Sequence, residues 1–204
     1  MGLLSRFLGF LNKPVEPKID FNYSFGKNDY SPFTFDEISY SPNKEYCVSF
    51  MEDNSSDNSK GQIALIKNGE LIYKKDIIRP LKCSVSNNGL VVCCDKPLED
   101  KLCGVFYTFA ENGDSILDFP IEANIDNCKI SSNSRYAIFT SGGSNSEDGN
   151  KLFIVDLVKK EIVNKFYPPM WYENARINEK SRSIVLINYN KEKLKIDFKG
   201  EIIE

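Results

Sequence analysis

The chain contains no histidine. That absence excludes Ser-His-Asp and Cys-His nucleophilic catalysis, His-ligated zinc and imidazole-based pH switching. Six cysteines stand at 47, 83, 93, 94, 103 and 128, with no Cys-x-x-Cys pair among them. That spacing excludes the clustered thiolates of a structural metal site. No glycine-rich phosphate loop and no nucleophile elbow occurs. An excess of one charge is also lacking, because 26 basic residues face 29 acidic ones and the net charge is −3. Such a balance exerts no long-range pull on phosphate backbones, so no nucleic acid is expected as a partner. A secretory signal is missing as well: Arg6 interrupts the only N-terminal apolar stretch and no small-residue cleavage site follows. Free thiols in a reducing cytoplasm are therefore expected. No cofactor is expected, and no catalytic residue is assigned.

What is present is ordinary in amount and unusual in order. An apolar fraction of 41% suits a folded domain. Residues 1–18 form a separate segment. Leu3, Leu4, Phe7, Leu8 and Leu11 follow helical spacing, and Pro14 and Pro17 stop the helix. This short amphipathic helix packs on the domain, docks a partner or touches a membrane surface through residues 3–11. With only Arg6 and Lys13 as cations, that membrane contact is weak. Residues 19–36 carry aromatic-rich strand segments that fall outside the repeats described next.

From residue 37 onward one pattern recurs about every 45 residues, the period of propeller blades. It opens on a Ser/Asn turn at Ser41-Pro42-Asn43, Ser86-Asn87-Asn88, Ser131-Ser132-Asn133 and Asn178-Glu179-Lys180. The repeats span 37–81, 82–125, 127–172 and 174–204. Each predicts four strands, of which the second is almost wholly apolar, as in Val91-Val92-Cys93-Cys94 and Ile184-Val185-Leu186-Ile187. Such runs suit strands covered on both faces. Asn68-Gly69 and Asn112-Gly113 stand at the same repeat position and predict two-residue hairpins with both central residues at positive φ. The expected fold is all-β and propeller-like, with four blades of four strands in domain 19–204. A compact ring, closed or nearly closed, is favoured over an open arc, a fifth blade built from 19–36 or completion by a second chain.

The run from Ile38 through Ser41-Pro42-Asn43 to Tyr46 resembles the WD40-like repeats of TolB-type β-propellers. So does Ile130 to Ser141, followed by Leu152-Phe153-Ile154-Val155-Asp156-Leu157. Where that family carries Asp-Gly, this chain carries Asn43-Lys44, Asn88-Gly89, Asn133-Ser134 and Lys180-Ser181. The resemblance implies a propeller over residues 37–204. Its members include scaffolds and peptide binders.

Function is expected on the face that collects the loops between strands two and three and the connections between blades. Its richest segment is Phe166-Tyr167-Pro168-Pro169-Met170-Trp171-Tyr172-Glu173, with the only tryptophan. Tyr167, Met170, Trp171 and Tyr172 are the expected partner contacts, the alternative for Trp171 being a cap on the core. Asp53 and Asp57, in the acidic loop Glu52 to Asn58, are expected to join them. That loop is a poor calcium site, since Asn58 and Ala64 replace the glycine and the bidentate acid. It and Ser141 to Asn150 read as flexible polar loops. Asp156 and Asp197 hold matching positions and are expected to bond turn amides. The expected function is a non-catalytic protein-binding module, with an inhibitor or toxin-immunity protein as its specific form. The alternative is a small-molecule or glycan propeller with a carboxylate-lined central pocket.

Overall fold

The computed structural model describes residues 37–51, 61–96 and 102–203, all within the unit Phe33–Glu204. The expected N-terminal helix, the boundary between 18 and 19, and the strand segments of 19–36 lie outside the described residues.

Fifteen strands form four antiparallel sheets, and no helix occurs among the described residues. The first sheet holds β1 (Glu37–Tyr40), β2 (Tyr46–Met51), β3 (Gly61–Lys67) and β4 (Glu70–Ile77) in chain order. The second holds β5 (Pro80–Val85), β6 (Val91–Asp95), β7 (Gly104–Phe109) and β8 (Ser115–Ile121). The third holds β9 (Ile125–Ile130), β10 (Tyr136–Ser141), β11 (Leu152–Asp156) and β12 (Glu161–Phe166). The fourth has three strands, β13 (Asn174–Asn178), β14 (Ser183–Ile187) and β15 (Lys193–Asp197). Its expected fourth strand is reduced to a bridge between Ile196 and Ile202, flanked by Asp197 N–H to Glu201 O and Ile203 N–H to Lys195 O.

The second strand of each sheet shows why the sheets stack. Successive strand residues point to opposite faces. In β6, Val91 and Cys93 enter the core shared with the first sheet, with Tyr46, Val48 and Ile63. Val92 and Cys94 enter the core shared with the third, with Ala137, Phe139 and Phe153. In β10 the alternation repeats, with Tyr136 and Ile138 turned to Ile184 and Leu186 of the fourth sheet. Three cores thus join four sheets in series. Among the described residues no core cluster joins the fourth sheet to the first, so the expected ring closure is not carried by these residues. In the middle core Phe106, Phe139 and Phe153 stack at 4.6 and 4.4 Å between centroids. Each such pair adds about 0.5–1.5 kcal/mol beyond area burial.

The repeated Ser turn has a common mechanism. Ser41, Ser86 and Ser131 are buried, and each Oγ accepts a backbone N–H from the start of the next strand, from Tyr46, Leu90 and Tyr136 at 2.9–3.1 Å. A left-handed residue follows in each, Lys44, Gly89 and Ser134. The same turns staple neighbouring sheets. Asn43 N–H donates to Asn87 Oδ1, Asn87 N–H to Ser132 O and Asn133 N–H to Glu179 Oε1, at 2.9–3.2 Å.

The hairpin at Asn68-Gly69 forms with both residues at positive φ, 49° and 90°. At Asn112-Gly113 only Gly113 is left-handed. There Gly113 N–H closes a turn onto Ala110 O, and the register shifts between Thr108 and Phe109. Both hairpins carry a register shift beside the turn, and the difference is loop length: Lys67 pairs with Glu70, whereas Phe109 pairs with Ser115, so a longer turn needs only one left-handed residue. Asp156 Oδ1 accepts from Val158 and Lys159 N–H, and Asp197 Oδ1 accepts from Lys199 and Glu201 N–H. Both aspartates bond turn amides, as their matched positions imply.

Candidate functional site

The starts of the inner strands and the ends of the second strands meet at one end of the fold. There they enclose a cavity of about 650 Å³. Glu37 comes from β1, Lys82 from β5, Asp126, Asn127 and Lys129 from β9, and Trp171 to Glu173 from the segment before β13. Phe50 and Thr140 come from the ends of β2 and β10, and Tyr189 from the turn after β14. Glu37, Lys82, Asn127 and Asn174 hold equivalent repeat positions. This is the end where the loops and inter-sheet connections emerge, the face expected from the sequence.

Two surface ion pairs frame the mouth. Lys82 Nζ meets Glu37 Oε2 at 2.5 Å, and Lys191 Nζ meets Glu173 Oε2 at 2.6 Å. Asn127 Nδ2 donates to Glu173 O at 3.2 Å, tying β9 to the segment before β13. Asp126 owes its place to an irregularity: β9 pairs Asn127 with Thr140 and Ile125 with Ser141, leaving Asp126 as the extra residue. Bulges of this kind re-aim a side chain. Gly142 leaves it room, since a Cβ there would stand 3.1 Å from Asp126 Oδ2. Asp126 is exposed, yet partial desolvation raises its carboxyl above the usual range, against a pull from Lys96. Lys129 is half-buried. Burial lowers its ammonium, Lys82 pushes the same way, and Cys128 and Glu173 oppose them.

The expected partner contacts separate. Trp171 and Tyr172 line the cavity. Trp171 is 50% exposed and belongs to no core cluster, so it does not cap the core. Tyr172 is 6% exposed and packs in the third core with Ile138, Ala175 and Ile184. Its expected surface contact is therefore replaced by a place in the cavity wall. Its hydroxyl has no hydrogen-bond partner among the described residues. Burial pushes the phenol upward, against a smaller opposing pull from Thr140. Met170 is half-buried against the third core. Tyr167 is 68% exposed, with Lys151 Nζ 3.3 Å from its ring centroid. Asp53 and Asp57 lie outside the described residues.

The loop Ser141 to Asn150 is more tightly held than its polar composition suggests. Ser144 and Ser146 Oγ both donate to Glu122 O at 2.7 Å, and Glu122 N–H donates to Asp148 Oδ2 at 3.1 Å. Lys165 pairs with Asp148 at 3.2 Å. Sequence reasoning missed Glu37, Lys82, Asp126 and Lys129. The signal that finds the first two is their phase: they are charged residues at equivalent places in strands that line the axis.

No protein-family model matches the chain, and none of the curated proteins matches it. Solved structures do. Hydrazine synthase of Kuenenia stuttgartiensis matches with a TM-score of 0.54 at 10% identity, over 78% of this chain and 57% of that one. HIRA(644–1017) matches with a TM-score of 0.53 at 12% identity, over 77% and 48%. The β-propeller domain of Myceliophteria thermophila Cps50 (Swd1) matches with a TM-score of 0.50 at 9% identity, over 78% and 49%. The chain spans about half the length of these structures. At such identity the likeness concerns the fold, an all-β architecture of the propeller type.

Proposed function

We propose that this protein is a non-catalytic binding module that engages another protein through the end of the fold where the cavity opens. The observation that carries this reading is a set of exposed large apolar residues at one end of the fold. Ile78, Leu102, Tyr167, Trp171 and Tyr189 all sit in connections or loops that emerge at that end. They are 49–77% exposed. Exposed aromatic residues on a scaffolded loop face suit protein interfaces, where Trp and Tyr dominate the binding energy. Pro168 and Pro169 limit the ordering cost of that loop. An inhibitor or toxin-immunity protein is the specific form of this reading, and a reducing cytoplasm is its compartment. Thiols that pack as small apolar core residues, such as Cys93 and Cys94, support that compartment. The charge pattern of the cavity supports a second reading, a small-molecule or glycan site in the channel.

The test is capture of partners by the immobilised full chain, compared with the Trp171→Ala/Tyr167→Ala double variant and with Val158→Ala at the opposite end. Loss of capture in the double variant alone, with circular dichroism unchanged, is expected. Equal capture by all three defeats the reading.

A further inference from the structure

We infer that the cavity at the axial mouth is a subsite for a neutral saccharide of one or two rings. The inference rests on the second reading above, a small-molecule or glycan site in the channel, and it does not depend on which protein the module engages.

Size sets the first limit. A cavity of about 650 Å³ falls within the range of small-molecule sites and is too small for a folded segment of a partner. Charge sets the second. The wall carries three carboxylates, Glu37, Asp126 and Glu173, and two ammonium groups, Lys82 and Lys129. Glu37 is matched by Lys82, and Glu173 by Lys191. That leaves Asp126 and Lys129, neither of which has a hydrogen-bond or ion-pair partner among the described residues. The site therefore presents one unmatched acceptor and one unmatched donor. An anionic ligand would satisfy Lys129 and be opposed by Asp126. A cationic ligand would satisfy Asp126 and be opposed by Lys129. A hydroxyl group both donates and accepts, so a polyhydroxylated ligand satisfies both side chains with no charge to repel.

Desolvation acts in the same sense. Burial raises the Asp126 carboxyl and lowers the Lys129 ammonium, moving both toward their neutral forms.

The aromatic wall completes the match. Trp171 and Tyr189 are 50% and 77% exposed and both line the cavity. Flat electron-rich ring faces attract electropositive edges, and the C–H faces of a pyranose present such edges. The bulge at Asp126 fits the same purpose, because it interrupts the ladder of β9 to aim one carboxylate into the mouth.

Trp171 is the only tryptophan, so its emission reports on this site alone. The experiment titrates the full chain with cellobiose, maltose, lactose and N,N′-diacetylchitobiose, and with glucose 6-phosphate and glucosamine as charged comparators. The expected result is a saturable emission change with at least one neutral disaccharide, with a Kd at or below the millimolar range. Asp126→Asn and Lys129→Met each weaken it about tenfold or more, the worth of one lost hydrogen bond to a charged group. Val158→Ala, at the opposite end, leaves it unchanged. No saturable response to any neutral disaccharide up to about 50 mM overturns the inference, since weaker binding has no specific meaning. Saturation by the charged comparators alone also overturns it, as does equal affinity in the Asp126 and Lys129 variants. Failure here with partner capture intact removes the saccharide subsite and spares the module. Cleavage of the bound disaccharide, read by chromatography, keeps the subsite and refutes the non-catalytic reading.

Discussion

Alanine at Tyr172 and alanine at Trp171 delete neighbouring aromatic rings whose surroundings differ sharply. Tyr172 is 6% exposed and packs on Ile138, Ala175 and Ile184, whereas Trp171 is 50% exposed and packs in no core cluster. Truncating a buried aromatic ring costs about 3–5 kcal/mol, through lost transfer energy and the cavity left behind. For a domain of this size each kcal/mol shifts the midpoint by about 2–4 °C, so Tyr172→Ala is expected to lower Tm by about 6–20 °C. Trp171→Ala should stay within about 1 kcal/mol, the range of surface substitutions with partial contact. Tyr172→Phe separates the ring from the hydroxyl. Because that hydroxyl is buried without a partner among the described residues, its removal relieves a desolvation cost of about 1 kcal/mol and leaves the protein as stable or more so. Urea and thermal melts followed by circular dichroism measure all three. Equal losses in the two alanine variants would refute the assignment of inner and outer rings. A loss above about 1 kcal/mol in Tyr172→Phe would show that the hydroxyl is bonded after all.

Asp156 is buried, accepts two turn amides and pairs with Arg135 Nη2 at 2.9 Å. Burial pushes its carboxyl up, but the Lys159 amide and the Arg135 guanidinium outweigh it and hold the carboxyl below its usual range. A depressed folded value contributes stability above the unfolded pKa, about 3.9, and loses it as pH falls through the folded value. Asp156→Asn should therefore flatten the acid limb of stability against pH, whereas Asp197→Asn, at the more exposed equivalent turn, should change it less; parallel acid limbs would contradict this. Gly89 adopts φ of +74°, and a Cβ there would stand 2.7 Å from the Tyr46 ring. Gly89→Ala should destabilise by about 1–3 kcal/mol through left-handed strain and the clash, and an unchanged urea midpoint would contradict it.

The parts of this fold that were legible are those the chain repeats. Ser41, Ser86 and Ser131 perform the same bond in successive blades, so one local requirement is written three times. The all-apolar run 91–94 announces a strand with two covered faces, because a half-exposed strand alternates. The run 184–187 reads the same way, yet only Ile184 and Leu186 enter a core, while Val185 and Ile187 stay half-buried because the last sheet has one neighbour among the described residues. Turn chemistry was less legible. Asn68-Gly69 and Asn112-Gly113 share a dipeptide, yet the second sits in a longer loop with one left-handed residue, because loop length selects the turn type. Trp171 and Tyr172 stand side by side in an irregular segment, where no period says which ring faces inward. The cavity was legible only in part. Glu37 and Lys82 sit in phase at the axis, but the aim of Asp126 depends on a bulge that leaves no mark in composition.

The central claim is that the second strands of the two middle sheets, β6 and β10, divide their side chains between two neighbouring sheets. Nuclear Overhauser contacts of Val91 and Val92, adjacent in β6, test it directly. The account predicts that Val91 methyls contact residues of the first sheet, such as Val48 and Ile63, while Val92 methyls contact Ala137 and Phe139 of the third. Contacts from both valines to a single facing sheet, or from one valine to solvent, would contradict it.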